Sequence, residues 1–296
     1  MKRLLCNLRD AMIGVMIGMA TAAPATAGEL RQGGKLLLTG GVSTVEGSSG
    51  GGLATWSLIA GNETDAGIGG AAHVTLVVLP DFDLKSIGGA VGIHNRVELS
   101  YALQVFDTRQ AGAALGLGRN FKFAQDVFGA KIRVIGDAVY DQDKLLPQIS
   151  VGVQYRRADK AAIIAAVGGK HAQGIDFYLS ATKVILSKSL VLGATVRFTK
   201  ANQFGLLGFG GDKSDKYRPQ FEGSAGILVS RRVLIGAEIR TKPDNLGFAR
   251  EQKAYDAFAA WQFQRHLTVT AAYTDLGDIA TIKRQRGAFL SLQAGF

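Results

Sequence analysis

The chain has 296 residues, 39 of them glycine and 1 cysteine, and its 34 lysines and arginines against 24 acids give a formal charge of +10. One cysteine excludes a disulfide scaffold, and an apolar fraction of 47% without a long polar tract excludes a disordered chain. No cluster of bases interleaves with aromatics, so the basic balance does not point to nucleic acid.

The first element is a targeting segment. Lys2, Arg3 and Arg9 form a positive head, Ala11 to Ala23 is an uncharged apolar run, and Ala25-Thr26-Ala27 fits a small-residue cleavage site. The run is shorter than the ~20 residues of a spanning helix. The expected domains are therefore a signal peptide at 1–27 and an exported unit at 28–296. Cys6 precedes the apolar run, where acylation as a lipoprotein is not expected. Cleavage removes three bases and one acid and leaves a cysteine-free chain of charge +8. That composition suits an oxidising compartment. No later apolar stretch is long enough for a membrane helix; the longest candidate is Ala161 to Gly169.

From there the period is two. Val97, Leu99, Tyr101, Leu103 and Val105 alternate with Glu98, Ser100, Ala102, Gln104 and Phe106. Ile149 to Arg156, Leu190 to Thr199, Gln220 to Val229, Val233 to Arg240 and Leu267 to Thr274 read the same way, as does Ala288 to Phe296 apart from Phe289. Each segment is about 10 residues, the length of a tilted membrane strand. Strands are predicted at 35–45, 53–60, 70–79, 84–93, 96–107, 125–138, 147–157, 175–186, 189–200, 219–229, 233–242, 254–264, 267–275 and 286–296. The fold class is all-β, a transmembrane antiparallel up-and-down barrel. The count is fourteen strands, with twelve strands and an N-terminal segment in the lumen as the alternative, because Gly33 to Gly52 is glycine-rich and Pro80-Asp81 interrupts its segment.

Connections alternate in length. Ser187-Lys188-Ser189, Ser230-Arg231-Arg232 and Arg265-His266 are tight. The stretches 201–217, 243–253 and 276–285 are long. Outer-membrane barrels pair tight periplasmic turns with longer outer loops in this way. The closing Gly287-Ala288-Phe289-Leu290-Ser291-Leu292-Gln293-Ala294-Gly295-Phe296 resembles the terminal signal of bacterial outer-membrane barrels. That resemblance implies a Gram-negative outer membrane, reached through the periplasm, and the barrel-assembly machinery as a partner that reads Phe296. DLKSIGGAVGIHNRVELSYALQVFDT (Asp83 to Thr108) and DVFGAKIRVIGDAVYDQDKLLPQISVGVQYR (Asp126 to Arg156) resemble an uncharacterised proteobacterial family. This second likeness implies a barrel and supplies no activity or site.

Inward-facing charges on the predicted strands are Lys131, Arg133, Arg156, Arg197 and Arg240 against Glu98, Asp137, Asp176, Glu222, Glu238 and Asp256. They are the expected pore-lining set. A selective pore carries one dominant sign at its constriction, whereas five bases against six acids form cross-lumen pairs. The residues either line a narrow, weakly selective channel or fill the lumen. Fourteen strands are too wide for side chains alone to fill, although Ala161 to Gly169 or Gly33 to Gly52 could fold inward as a plug.

Bases from Arg109 to Arg286 gather in or beside the outer loops, where lipopolysaccharide phosphate is the available counter-charge. Tyr101, Tyr155, Tyr255, Trp261, Phe263 and Tyr273 are assigned to the lipid face as girdle aromatics. Among the histidines, His94 and His266 fall in periplasmic turns, His73 near a strand start, and His171 in an outer loop. Only His171 is placed for hydrolysis at the outer rim, and no flanking motif completes a catalytic set. Asp212, Asp215, Asp275 and Asp278 could offer calcium ligands but read more simply as solvating charges. No metal spacing, phosphate loop or cofactor pattern is present. The expectation is a porin-like passive channel for small solutes and not an enzyme. The alternative is a closed barrel that binds a surface partner or serves a structural role, with a rim hydrolase third. Oligomeric state has no signature in the sequence.

Overall fold

The computed structural model describes residues 38, 40, 42–62, 67–139, 141 and 144–296. The predicted signal peptide lies outside them, as does most of the predicted strand 35–45. Residues 34–296 form one compact unit.

The strands in chain order are β1 (Ile68–Val78), β2 (Asp83–Ile93), β3 (Val97–Asp107), β4 (Lys122–Ile135), β5 (Gln148–Ala158), β6 (Gly169–His171), β7 (Gln173–Ile185), β8 (Leu190–Thr199), β9 (Phe209–Gly211), β10 (Arg218–Ser230), β11 (Val233–Arg240), β12 (Ala254–Gln264), β13 (Leu267–Asp275) and β14 (Arg286–Gly295). Short helices α1 (Ala111–Ala114) and α2 (Ala161–Ala166) lie in connections. All but β6 and β9 form a closed twelve-stranded antiparallel barrel. β1 closes against β14 in register from Ala71↔Gly295 to Val78↔Ala288. β6 and β9 pair with each other outside the barrel.

Alternation follows the pleat. On β3, Glu98, Ser100, Gln104 and Phe106 are buried while Leu99 is exposed; on β7, Ile175, Phe177 and Leu179 are exposed while Asp176, Tyr178 and Ser180 are buried. Leaving a large apolar side chain in water forfeits roughly 1.5–3 kcal/mol of burial, so a belt of them around every wall defines a lipid-facing surface. No described helix is long and apolar enough to cross a membrane; the crossing elements are strands.

One end carries the tight turns and the other the long loops. His94 (φ 51°) and Asn95 (φ 45°) both take the left-handed conformation of a tight hairpin turn between β2 and β3, which matches the strands' twist. The opposite end carries 108–121, 159–172, 200–217, 241–253 and 276–285. Two connections depart from this rhythm. Residues 79–82, around Pro80-Asp81, make a short turn at the long-loop end, and 136–147 makes a long connection at the tight-turn end.

The count of fourteen strands is corrected to twelve, the alternative reading. The segment 53–60 and the described residues of 35–45 contribute no barrel strand. Residues 42–62 run through the interior, and all but Asn62 are buried. A ladder strand satisfies its backbone on a neighbouring backbone; this segment bonds chiefly to wall side chains, so its apolar residues face the lumen rather than lipid.

Two smaller expectations also change. Asp137 lies beyond β4, because the strand ends before Gly136 (φ 75°). Its carboxylate accepts from Arg133 Nη1 at 2.6 Å in the 136–147 connection. Tyr101 has the register of the outer face but is buried. Its ring packs on Phe128 at 4.9 Å and its hydroxyl donates to Asp126 at 2.8 Å, beside the Asp126–Arg157 pair at 3.2 Å.

Candidate functional site

The interior segment is held by side chains from most of the wall. Ser86 Oγ on β2 and Gln104 Nε2 on β3 each donate to the Val45 carbonyl at 2.7 Å. Glu98 accepts the Ser49 and Ala60 amides at 3.3 and 2.8 Å. Lys131 Nζ on β4 donates to the Trp56 carbonyl at 3.0 Å. Ser150 Oγ on β5 donates to the Ser57 carbonyl at 2.7 Å, and Thr182 Oγ1 on β7 accepts the Ser57 amide at 2.9 Å. Thr195 Oγ1 on β8 donates to the Thr55 carbonyl at 2.7 Å, and Glu222 on β10 accepts the Thr55 amide at 2.8 Å. Glu238 on β11 accepts the Leu53 and Ala54 amides at 2.8 and 3.2 Å, and Gln293 on β14 donates to the Ser43 carbonyl at 3.3 Å. Buried backbone polar groups need such partners, and here the barrel wall supplies them.

Glu46 is the charged centre of the segment. Its Oε1 lies 2.9 Å from both Arg156 Nη1 and Arg240 Nη2, and its Oε2 lies 3.9 Å from Arg197 Nη2. Arg197 also meets Glu222 at 2.5 Å, and Arg156 meets Asp176 at 3.1 Å. Three guanidinium groups thus face three carboxylates, all buried. A buried ion left without a partner is strongly unfavourable, and this set closes its own charge. Gln154 Oε1 accepts from Arg156 and Arg197 at 2.9 and 2.6 Å. Lys131 and Glu98 form a separate buried pair at 3.0 Å.

Of the sequence-predicted residues, Arg156, Asp176, Arg197, Glu222 and Arg240 meet around Glu46. Lys131 and Glu98 pair nearby, and Glu238 and Asp256 face each other in register across β11 and β12. Arg133 and Asp137 pair with each other near the tight-turn end. Sequence reasoning missed Glu46. It sits in the glycine-rich stretch considered as a plug, and nothing in the sequence marked it, because the inward positions of the strands already offered six acids to five bases.

At the long-loop end lies an apolar cavity of about 130 Å³. Phe106 and Phe123 form its wall on the barrel side, and Phe82, Ile163, Phe204 and Phe248 close it from the connections. Val45 and Leu53 of the interior segment belong to the same apolar cluster as Phe82, Phe106 and Phe123. Phe204 joins the two layers: the Arg240 guanidinium stacks on its ring at 4.8 Å, and Arg156 Nη1 donates to its carbonyl at 2.6 Å. Lys242 also lines the cavity, with its ammonium engaged by Glu251 at 3.2 Å and by the Leu276 carbonyl at 3.0 Å.

His171 stands in β6, half exposed, 3.6 Å from Asp215. Lys200 Nζ donates to Asp215 at 2.7 Å and holds this loop carboxyl below its ordinary range. The Gly247 amide donates to Asp212 at 2.7 Å and lowers that carboxyl too. Asp275 pairs with Arg286, and Asp278 accepts from Gln252 and from the Arg284 amide. Asp212, Asp215 and Asp278 fasten the outer loops to one another, while Asp275 stays within its own hairpin; no metal-holding group of three ligands occurs among the described residues.

A closed antiparallel barrel with an apolar outer belt, tight turns at one end and long loops at the other is an outer-membrane-type β-barrel. The chain belongs to the DUF3034 family, described as proteins of unknown function, whose profile matches residues 39–293. A search of the curated proteins finds no match by sequence. Among solved structures, the KdgM porin aligns with a TM-score of 0.50 at 9% identity, over 76% of this chain and 99% of that one. The NanC porin aligns with a TM-score of 0.51 at 8% identity, over 77% of this chain and all of that one. The likeness is one of fold.

Proposed function

We propose that this protein is a porin-like outer-membrane channel for small solutes, closed by residues 42–62 and opened when that segment moves. The observation that carries the reading is how the lumen is filled. A twelve-stranded wall encloses more space than its own side chains occupy, and the filler is a chain segment held by exchangeable polar contacts. Water and solute ions can replace those contacts one at a time, which suits a movable plug better than a permanent core. The filled lumen also favours a second reading, a closed barrel that works through its surface loops. In either reading we assign lipopolysaccharide phosphate as counter-charge for the outer-rim bases, and the barrel-assembly machinery as the reader of Phe296.

Planar-bilayer conductance separates the two. The intact protein is expected to show brief, infrequent openings, and deletion of 43–60 to give stable stepwise currents. Current from the intact protein equal to that of the deletion would show that the segment is no closure. A folded deletion variant without current would leave the closed, surface-binding barrel.

A further inference from the structure

The cavity at the outer mouth has the size, lining and polarity of a ligand site. Its volume of about 130 Å³ is comparable with the roughly 150 Å³ apolar cavity known to take up benzene. Phenyl rings from both wall and loops line it, so an aromatic guest would meet edges and faces on several sides. No free charge faces it, because the Lys242 ammonium is already held by Glu251 and the Leu276 carbonyl.

Gln203 and Phe204 both line the cavity and both sit in the left-handed region, at φ 46° and 58°. That conformation is unfavourable for side chains of their kind and clusters at functional sites. The Gln203 Nε2 is itself buried away from the cavity, so the phenyl rings, Phe204 among them, carry the recognition.

We infer that the outer mouth binds a small neutral aromatic molecule, with its ring among the phenylalanines. The site stands whether or not solute then crosses the barrel, so its test does not use conductance. The probe is toluene, titrated calorimetrically into the folded full-length protein in phospholipid nanodiscs. A saturable phase above the uptake of protein-free nanodiscs is expected. Leu206→Trp should fill the cavity and abolish the saturable phase; Ile163→Phe serves the same purpose if the first variant does not fold. The inference is overturned if toluene uptake is the same in the wild type and a folded cavity-filling variant. It is overturned equally if the wild type takes up no more toluene than empty nanodiscs.

Discussion

At the residue scale the decisive group is Glu46. Its carboxylate neutralises charge on Arg156 and Arg240 at 2.9 Å each, and all three groups are buried. Glu46→Gln leaves three guanidinium groups against two carboxylates, and removal of one partner from a buried pair costs about 3–5 kcal/mol. The expected outcome is a loosened segment inside an intact barrel. Protease cleavage within 42–62 should rise by at least an order of magnitude while detergent-gel mobility of the folded form is unchanged. Asp215 gives a pH effect of defined sign. Its carboxyl is held below the ordinary value chiefly by Lys200, so the clasp is complete above the unfolded value of about 4 and is lost as pH falls through the folded one. Pepsin cutting near 212–216 should therefore appear only in strong acid, and Asp215→Asn should show it at milder pH.

At the scale of elements, the interior segment depends on glycines where the wall comes close. Gly47 has φ 92°, and a Cβ there would lie 2.6 Å from the Tyr101 carbonyl oxygen. Gly47→Ala thus combines backbone strain with a clash against main chain. Unseating of the segment by about 1–3 kcal/mol should show as longer open times in the bilayer, with circular dichroism unchanged. Gly51→Ala should act in the same direction, because its Cβ would meet the Glu238 carboxylate, which cannot move aside without releasing the Leu53 and Ala54 amides. The barrel strands were readable because each places Leu, Ile, Val or aromatic residues on alternate positions. The ends of β12 and β13 coincide with the predicted 254–264 and 267–275. The segment at 42–62 was harder to read. Trp56, Leu58 and Ile59 look like strand residues in sequence, and composition cannot distinguish an apolar side chain facing lipid from one facing a lumen.

At the scale of the whole molecule, closure and the belt decide stability. Leu179 is the middle residue of β7 and is exposed on the outer face. Leu179→Lys should destabilise the bilayer-inserted barrel by about 2–4 kcal/mol, read from the denaturant midpoint of folding into vesicles. The same substitution at Leu145, fully exposed in the 136–147 connection, should leave that midpoint unchanged.

The sequence by itself determined the wall. A period of two over segments of strand length, with polar residues on one face and apolar on the other, is a local property; it marks the twelve strands of the wall and their facing, and it counts 35–45 and 53–60 with them. It also determined which charges of the strands point inward, because facing follows from parity, whereas Asp137 lies beyond its strand and Glu46 belongs to none. Only the tertiary structure decided what fills the space those strands enclose, how Glu46 meets arginines more than a hundred residues away, and that every outer connection contributes to one apolar cavity. Those facts depend on the diameter at which the barrel closes and on contacts between distant segments. Neither leaves a local period in the chain.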